Sequence, residues 1–234
     1  MVSLVGAAPV AAQSDAVLAE RPLATRAELE ELAERVSAKD GNPELVARIR
    51  ERLAEGDFRR GDRLALEVQA ESTLTDTFTV SAERDLLLPS PTVGTLSLRG
   101  VLRSELQAKM AEYVARFVQD PVVRAYPLIR LSVQGEVTRG GIYAVAAGGT
   151  LADVVMAAGG TTQYATTREM RIERNGRPIW EGASFEVSID ELALRNGDQV
   201  FVGSNRPGRT TENLRFVALL ISIAGGIYGL SRIF

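Results

Sequence analysis

The spacing of apolar residues changes from helical to strand-like near residue 61. Before that point, apolar positions recur every three or four residues in "RAELEELAERVSAKD" and "PELVARIRERLAEG". This period is typical of amphipathic helices with charged, solvated outer faces. Thr25 and Glu28 form a capping-box pattern before the first helix, and Asn42 is a helix-start residue for the second. The pattern predicts a helical hairpin over residues 15–57.

Beyond residue 61, apolar and polar residues alternate, which is the period of half-buried strands. "DRLALEVQAE" and "DTFTVSAERDLLLP" carry this alternation. A helical period returns in "SELQAKMAEYVARFVQD", with Ser104 as the expected N-cap and Asp120 near its end. Two further strands are predicted, at 121–125 and 128–133. The predicted buried face of the helix consists of Leu106, Met110, Tyr113, Val114 and Phe117.

The stretch "QGEVTRGGIYAVAAGGTLADVVMAAGG" holds seven glycines in residues 134–160. A phosphate-binding loop needs GxxxxGK[ST] or GxGxxG, and neither spacing occurs here. The glycines therefore read as turn and cap residues. Gly140 and Gly141 are expected to form a tight turn with positive φ. A short helix should follow, with Thr150 as its N-cap and Gly159-Gly160 at its end.

Strand patterns continue after this short helix. "EMRIERNGRPIW" predicts a hairpin that turns at Asn175-Gly176. A second turn at Asn196-Gly197-Asp198 precedes a final strand at 200–202. Two strands, a helix, a hairpin and a last strand predict a compact α+β module that is like a β-grasp.

Both ends of the chain are apolar. The C-terminal run at 216–234 contains one charge, Arg232, and as a helix would be ~28 Å long, close to the thickness of a hydrocarbon core. The run favours a membrane helix after a linker at 206–215, with a buried core helix as the alternative. Residues 1–14 fit a secretory signal or a disordered tail. Small residues that would let membrane helices pack closely are Ala218, Ser222, Gly225, Gly226 and Gly229.

Composition removes several classes of function. The 234 residues contain no Cys and no His, which excludes disulfides, thiolate metal sites and triads that use His. The net charge of −3 offers no basic field for nucleic acid. No cofactor motif, metal site or catalytic group is indicated, and the chain is interpreted as a protein without enzymatic activity.

Two consecutive blocks of the sequence resemble the bacterial polysaccharide biosynthesis/export proteins, the outer-membrane polysaccharide exporter family. The block at 56–123 is similar to the export domain of that family, and the block at 131–203 is similar to its soluble-ligand-binding β-grasp domain. The landmarks of the first block are Gly61, Asp62, Pro89, Gly94, Gly100 and Pro121. The landmarks of the second are Gly135, Glu136, Val137, Gly141, Tyr143, Ala158, Gly159, Gly160, Gly197 and Asp198.

The resemblance implies an α+β protein with four parts. These are the N-terminal helical hairpin, an α/β polysaccharide-export domain at 58–127, one β-grasp-like domain at 128–205 and the C-terminal membrane helix. It also implies a ring-forming homo-oligomer that faces the periplasm, is anchored at the outer membrane and passes polysaccharide to the cell surface. The implied partners are further copies of the chain, the polysaccharide, an inner-membrane polysaccharide co-polymerase or transporter, and the lipid bilayer.

The sequence departs from the family pattern, and two other functions remain open. Gly140-Gly141 stands where the family usually has Pro-Gly, there is no lipobox Cys, and only one β-grasp repeat is present. A membrane-tethered module that binds glycan or a partner, without a channel, is one alternative. A carboxylate enzyme is the other, with Asp62 and Asp198 as its candidates. Both follow Gly directly before a strand, which favours a role in turns.

Overall fold

The structure of the protein, a computed structural model, describes residues 10–38, 42–69, 72–89 and 94–205. Within these ranges the α-helices are Val10–Glu20 (α1), Arg26–Ala38 (α2), Pro43–Glu55 (α3), Leu106–Val114 (α4) and Leu151–Ala157 (α5). The strands are Arg63–Val68 (β1), Asp76–Thr79 (β2), Asp85–Leu87 (β3), Thr95–Ser97 (β4), Val123–Gly135 (β5), Gly141–Ala146 (β6), Ala165–Arg174 (β7), Arg177–Gly182 (β8) and Gln199–Ser204 (β9). The α+β expectation is confirmed.

The predicted helix starts of α2 and α3 are confirmed in atomic detail. The backbone N–H of Thr25 donates to the Glu28 carboxylate (2.7 Å), and the N–H of Glu28 donates back to the Thr25 hydroxyl (3.2 Å). Asn42 accepts from two amides in the first turn of α3. The two helices pack through one apolar face each and share a core with Leu102. A third helix, α1, extends across residue 14, the predicted end of the signal-like segment.

Strand β5 is the main departure from the predicted organisation. The sequence pattern predicted two strands on either side of a domain limit at residues 127 and 128, but the structure has one strand of 13 residues. Pro127 remains inside it, opposite Leu64 of β1, and its carbonyl accepts from the Ala147 amide (2.9 Å). Alternate side chains are buried along the whole strand, so a single pleated face continues past the proline.

The two halves of β5 belong to two hydrophobic cores. Residues 123–128 pair with β1, whereas residues 128–133 pair antiparallel with β6 and residues 132–135 pair parallel with β9. The resulting mixed sheet has seven strands, in the order β2-β1-β5-β9-β7-β8 with β6 also on β5. The first core packs β1 and β5 against α4, and the second packs β5, β7 and β9 against α5.

Helix α4 is shorter than its periodicity predicted. Its buried positions include Leu106, Met110 and Val114, as expected, but the helix ends at Val114. Phe117 is 45% exposed, and its ring meets Tyr113 edge-on at 5.3 Å. The predicted N-cap is also wrong, because the Ser104 hydroxyl donates to the Ala24 carbonyl (3.0 Å) instead. That hydroxyl therefore links the start of α4 to the N-terminal helices.

The predicted positive-φ turn at Gly140-Gly141 is wrong. Neither residue has positive φ, and Gly141 already belongs to β6. The chain leaves β5 at Gly135, which has φ +90°, and the following amides of Thr138 and Arg139 donate to carbonyls beyond α5. A five-residue connection, hydrogen-bonded to the residues that follow α5, therefore replaces the two-residue turn. The turn predicted at Asn175-Gly176 is confirmed. It connects β7 and β8 as a hairpin, and both residues have positive φ.

None of the helices in the described ranges is long and apolar enough to cross a bilayer. The predicted membrane helix at 216–234 lies outside the described residues. The same holds for its small-residue face, Ala218, Ser222, Gly225, Gly226 and Gly229.

An ion pair joins the helical layer, which consists of α1, α2 and α3, to the first core. Arg26, the first residue of α2, donates to both oxygens of Glu105 (2.7 and 3.1 Å) and to the carbonyls of Leu53 and Gly100. Chiefly through this hydrogen bond, Arg26 lowers the pKa of Glu105 below its ordinary value of 4.5. The charged form of Glu105 therefore favours the folded state.

We expect Glu105→Gln to lower the free energy of unfolding at pH 7 by about 0.5–1 kcal/mol, since both partners are partly exposed. Because the pKa of Glu105 is lower in the folded than in the unfolded state, its ion pair stabilises the protein fully at pH values above the unfolded-state pKa. This stabilisation is lost as the pH falls through the folded-state pKa. The difference between wild type and variant should therefore shrink below pH 4.5. Urea titrations between about pH 3 and 7 measure it. A difference that grows on acidification would contradict the assignment. Glu112→Gln, in an exposed pair, is the control.

Gly135 combines positive φ with a close approach that only glycine permits. A Cβ there would lie 2.1 Å from the carbonyl oxygen of Val202. Gly61 has a similar φ of +86° but nothing within 4 Å of its Cβ position. We expect Gly61→Ala to cost about 1–2 kcal/mol from backbone strain. Gly135→Ala should cost clearly more, because β9 must also move away. Urea denaturation measures the loss of unfolding free energy in each variant. Equal losses for Gly61→Ala and Gly135→Ala would contradict this close approach.

Candidate functional site

Asp62 lies where the two cores and the helical layer meet. Its carboxylate is 9% exposed and accepts from three donors. Asn196 Nδ2 donates to Oδ1 (2.9 Å), while Arg103 Nη2 (2.9 Å) and the Arg59 backbone N–H (3.0 Å) donate to Oδ2. Because Asp62 directly precedes β1 and Asn196 closely precedes β9, this carboxylate ties together the beginnings of two strands that pair with β5.

Asn196 also binds the backbone of β5, between the residues that pair with β1 and those that pair with β9. Its side-chain oxygen accepts from the Arg130 amide (2.9 Å), and the amide of Gly197 donates to the Arg130 carbonyl (2.9 Å). Arg130 lies between the part of β5 that pairs with β1 and the part that pairs with β9. Gly197 has φ +93°, which lets the turn present its amide in this way.

Asp198 is held by a separate bidentate ion pair. Its side chain is 2% exposed, and Arg174 donates to both of its oxygens at 2.8 Å. The backbone N–H of Arg195 donates to the same carboxylate (2.8 Å). The hydrogen bond with Asp198 raises the pKa of Arg174. Asp62 and Asp198 thus both accept hydrogen bonds from a guanidinium group and from a backbone amide three residues earlier in the chain.

A third buried carboxylate, Asp57, was not singled out from the sequence. Arg52 donates to its two oxygens (2.7 and 2.9 Å), and the Arg103 amide donates to Oδ2 (2.9 Å). Arg52 also donates to the carbonyls of Ala19 (2.7 Å) and Arg21 (2.9 Å). The end of α3 is thereby joined to the end of α1. The available signal was an arginine and an aspartate on either side of the Gly56 helix stop.

Glu20, at the end of α1, lies among three guanidinium groups. Arg195 is 2.5 Å from its carboxylate, Arg174 is 3.5 Å away and Arg48 is 3.8 Å away. These arginines come from the turn before β9, from β7 and from α3. The sequence could not reveal this cluster, because its members are distant in the chain.

An open cleft of about 580 Å³ lies beside these ion pairs. It is bounded by the end of α1, by one face of α3, by the segment before β1 and by the turn before β9. The charged residues that line it include the carboxylates of Glu20, Asp57 and Asp62. The arginines that line it are Arg48, Arg52, Arg59, Arg103 and Arg195. Within the described ranges no group of three or more Asp or Glu residues could hold a metal ion.

Most of the predicted β-grasp residues come together away from this cleft. The segment Gly135–Val137 leaves β5 and meets the end of α5, where Gly159 and Gly160 have positive φ and Ala158 is fully buried. Glu136 is 3% exposed and accepts from the hydroxyls of Thr162 (2.6 Å) and Ser204 (2.9 Å). These residues join β5, α5 and β9 as a packed corner.

The remaining predicted residues are spread over the fold. Tyr143 lies in β6 near Gly141, and its hydroxyl donates to the Arg139 carbonyl (2.6 Å). Pro89 and Gly94 lie in the connection between β3 and β4, and the Gly100 amide donates to the Glu55 carbonyl. Pro121 lies between α4 and β5. Of the predicted site residues within the part of the chain that the structure describes, Asp62 is the one that lines the cleft.

Removing the carboxylate of Asp62 should destabilise the junction strongly. Asp62→Ala leaves the Arg103 guanidinium, whose side chain is 19% exposed, without its charged partner. Breaking a fully buried pair costs about 3–5 kcal/mol, so the loss here should approach the lower end of that range. Asn196→Ala should cost less, about 1–3 kcal/mol, because it removes two hydrogen bonds but leaves the ion pair between Asp62 and Arg103 in place. Urea denaturation measures both values. Glu67→Ala, an exposed change in β1, is the control, and an equal loss for Asp62→Ala would contradict this role.

The comparisons with known proteins concern the second core. A comparison with curated proteins gives no match. Residues 130–185 match the family model for the SLBB domain. The match starts in the second half of β5, contains β6, α5, β7 and β8, and ends before the Asn196 turn and β9. This part of the chain is therefore similar to SLBB domains, which are found in polysaccharide export proteins.

Proposed function

We propose that this protein is a component of a cell-envelope machine that exports polysaccharide. In this proposal it is a subunit of an oligomeric translocon in the periplasm and outer membrane, and it passes glycan toward the cell surface. The observation that carries the proposal is the SLBB match at residues 130–185, because SLBB domains are found in polysaccharide export proteins.

The organisation of the first core supports this proposal. Residues 56–123 resemble an export domain, and β5 links the β1 and α4 elements of that region directly to the SLBB-like part. The two resemblances thus occur in one continuous sheet and in the order expected for the exporter family. The buried carboxylates described here are engaged in ion pairs and turns, so the proposed role involves no bond-making chemistry.

The proposed partners follow from the same role. They are further copies of the chain in a ring, the polysaccharide itself, an inner-membrane polysaccharide co-polymerase or transporter, and the lipid bilayer. Membrane attachment through residues 216–234 is part of the proposal. Closed rings require one surface of each copy to bind a different surface of the next copy.

A binding module without a channel of its own is the second candidate. The arginine-lined cleft is built from a single copy of the chain. A glycan or an acidic partner could therefore be bound without ring formation. In this case the protein would act as a membrane-tethered receptor at the cell envelope.

Deletion of the gene should abolish surface polysaccharide while intracellular glycan synthesis continues, because a translocon acts after polymerisation. Extracted surface and cell-associated polysaccharide would be quantified in parallel. The gene carrying Glu67→Ala, which leaves the fold unchanged, should restore surface polysaccharide. Unchanged surface polysaccharide in the deletion strain would overturn the proposal.

Imaging of the purified full-length protein in detergent separates the two candidates. Ring-shaped particles are expected of a translocon subunit. A monodisperse monomer, together with loss of surface polysaccharide on deletion, would favour the binding module.

A further inference from the structure

We propose that the arginine-lined cleft binds an acidic oligosaccharide segment through its ionised carboxylate groups. The proposal rests on the proposed export function, which supplies a polysaccharide ligand, and it adds the chemical class of that ligand. The SLBB match does not assign the cleft, since four of its arginines precede the matched residues 130–185 and the fifth follows them. The predicted site residues assign no ligand to it either, although Asp62 belongs to its lining.

The charge of the cleft favours an anion. Five arginines line it against three carboxylates, which leaves an excess of two positive charges in a chain whose net charge is −3. Arginine presents a planar fork of N–H donors that matches the two oxygens of a carboxylate. A local excess of guanidinium groups in a concave, partly enclosed site therefore attracts carboxylates more strongly than an open surface does.

Two of these arginines, Arg59 and Arg103, keep side-chain donors that form no hydrogen bond within the described residues. Among the described residues, Arg103 uses Nη2 for Asp62 and has no side-chain hydrogen bond from Nε or Nη1. Arg59 donates only from Nη1, to the carbonyls of Gly56 and Phe58, and forms no ion pair within the described ranges. Arg52, by contrast, is occupied by Asp57 and backbone carbonyls. Arg52 thus supports the cleft, while Arg59 and Arg103 can bind a ligand.

One carboxylate of the protein itself already contacts this surface. The carboxylate of Glu20 already lies beside Arg195 at 2.5 Å and near Arg48 at 3.8 Å, and all three residues line the cleft. The Arg48 and Arg195 side chains are 59% and 47% exposed, so both remain accessible to a second carboxylate. The contact with Glu20 is therefore an internal example of the interaction proposed for the glycan.

The size and lining of the cleft fit a short stretch of sugar rings. Its volume of about 580 Å³ lies within the usual range for ligand sites, roughly 300–1,000 Å³. Apolar side chains, among them Pro22 and Leu45, also line it. A sugar ring has C–H faces and polar edges, so it can contact both parts of this lining. Inorganic anions would use the guanidinium groups alone.

The test uses the purified full-length chain and two probes that share one sugar backbone, one with charged carboxylates and one with these groups neutralised. One probe is a hexameric oligogalacturonate, and the other is the same hexamer with its carboxylates methyl-esterified. Calorimetric titration at low salt should show binding of the acid form, at least about tenfold tighter than the ester. Raising the salt to about 0.5 M should weaken it through screening. Equal binding of both probes, or binding of neither, would overturn the proposal.

The variant Arg48→Gln with Arg59→Gln should weaken oligogalacturonate binding about tenfold or more. Neither side chain forms a short ion pair, so the thermal unfolding temperature should stay near that of the wild type. Arg177→Gln, an exposed change in β8 outside the cleft, should bind like the wild type. Unchanged binding by the double variant, or an equal loss in Arg177→Gln, would overturn the assignment of the cleft.

Two further results separate the ligand class from its alternatives. Inorganic phosphate at equal charge concentration should compete poorly with the hexamer. Full competition would indicate a general anion site and overturn the glycan assignment. Loss of surface polysaccharide in the deletion strain, combined with no oligogalacturonate binding, would overturn this inference alone. Normal surface polysaccharide with retained binding would instead overturn the export function.

Discussion

A buried carboxylate needs hydrogen-bond donors for both of its oxygens. The donors of Asp62 come from separate parts of the fold, which this carboxylate connects. Its donors come from the segment before β1, from the start of α4 and from the turn before β9. Arg59 and Arg103 belong to segments beside the first core, and Asn196 belongs to the turn that leads into β9 of the second core. The two cores are therefore held together at this point, and the arginine-lined cleft lies beside it.

Ion pairs around this point carry the connection outward. Arg52 of α3 binds Asp57 and also donates to the Ala19 carbonyl at the end of α1, and Arg21 donates to the buried Asp190 carboxylate at 2.6 Å. Buried pairs of this kind are costly to break, although their net contribution to stability is often small. Their more evident effect is on geometry. They fix the position of α1 and thereby place Glu20 among the arginines.

Local features of the fold were predictable from sequence, whereas the candidate site was not. The caps at Thr25, Asn42 and Thr150 and the hairpin at Asn175-Gly176 depend on residues a few positions apart, and the structure confirms them. The Asp62–Asn196 hydrogen bond spans 134 positions, and no local pattern encodes such a contact. The Gly140-Gly141 turn was mispredicted for the same reason, because carbonyls beyond α5 determine how the chain leaves β5.

The continuity of β5 also limits how this protein can diversify. Successive side chains of a strand alternate between faces, so inserting one residue near Pro127 would invert one half of β5 relative to the other. Either Val123 and Ala125 or Ile129 and Leu131 would then leave their core. Recombination that changes the length of β5 near Pro127 is consequently disfavoured. This is the position where the sequence pattern predicts a domain limit. Module exchange in evolution or in the laboratory is better tolerated in the loops, where a change in length leaves the pleat of β5 intact.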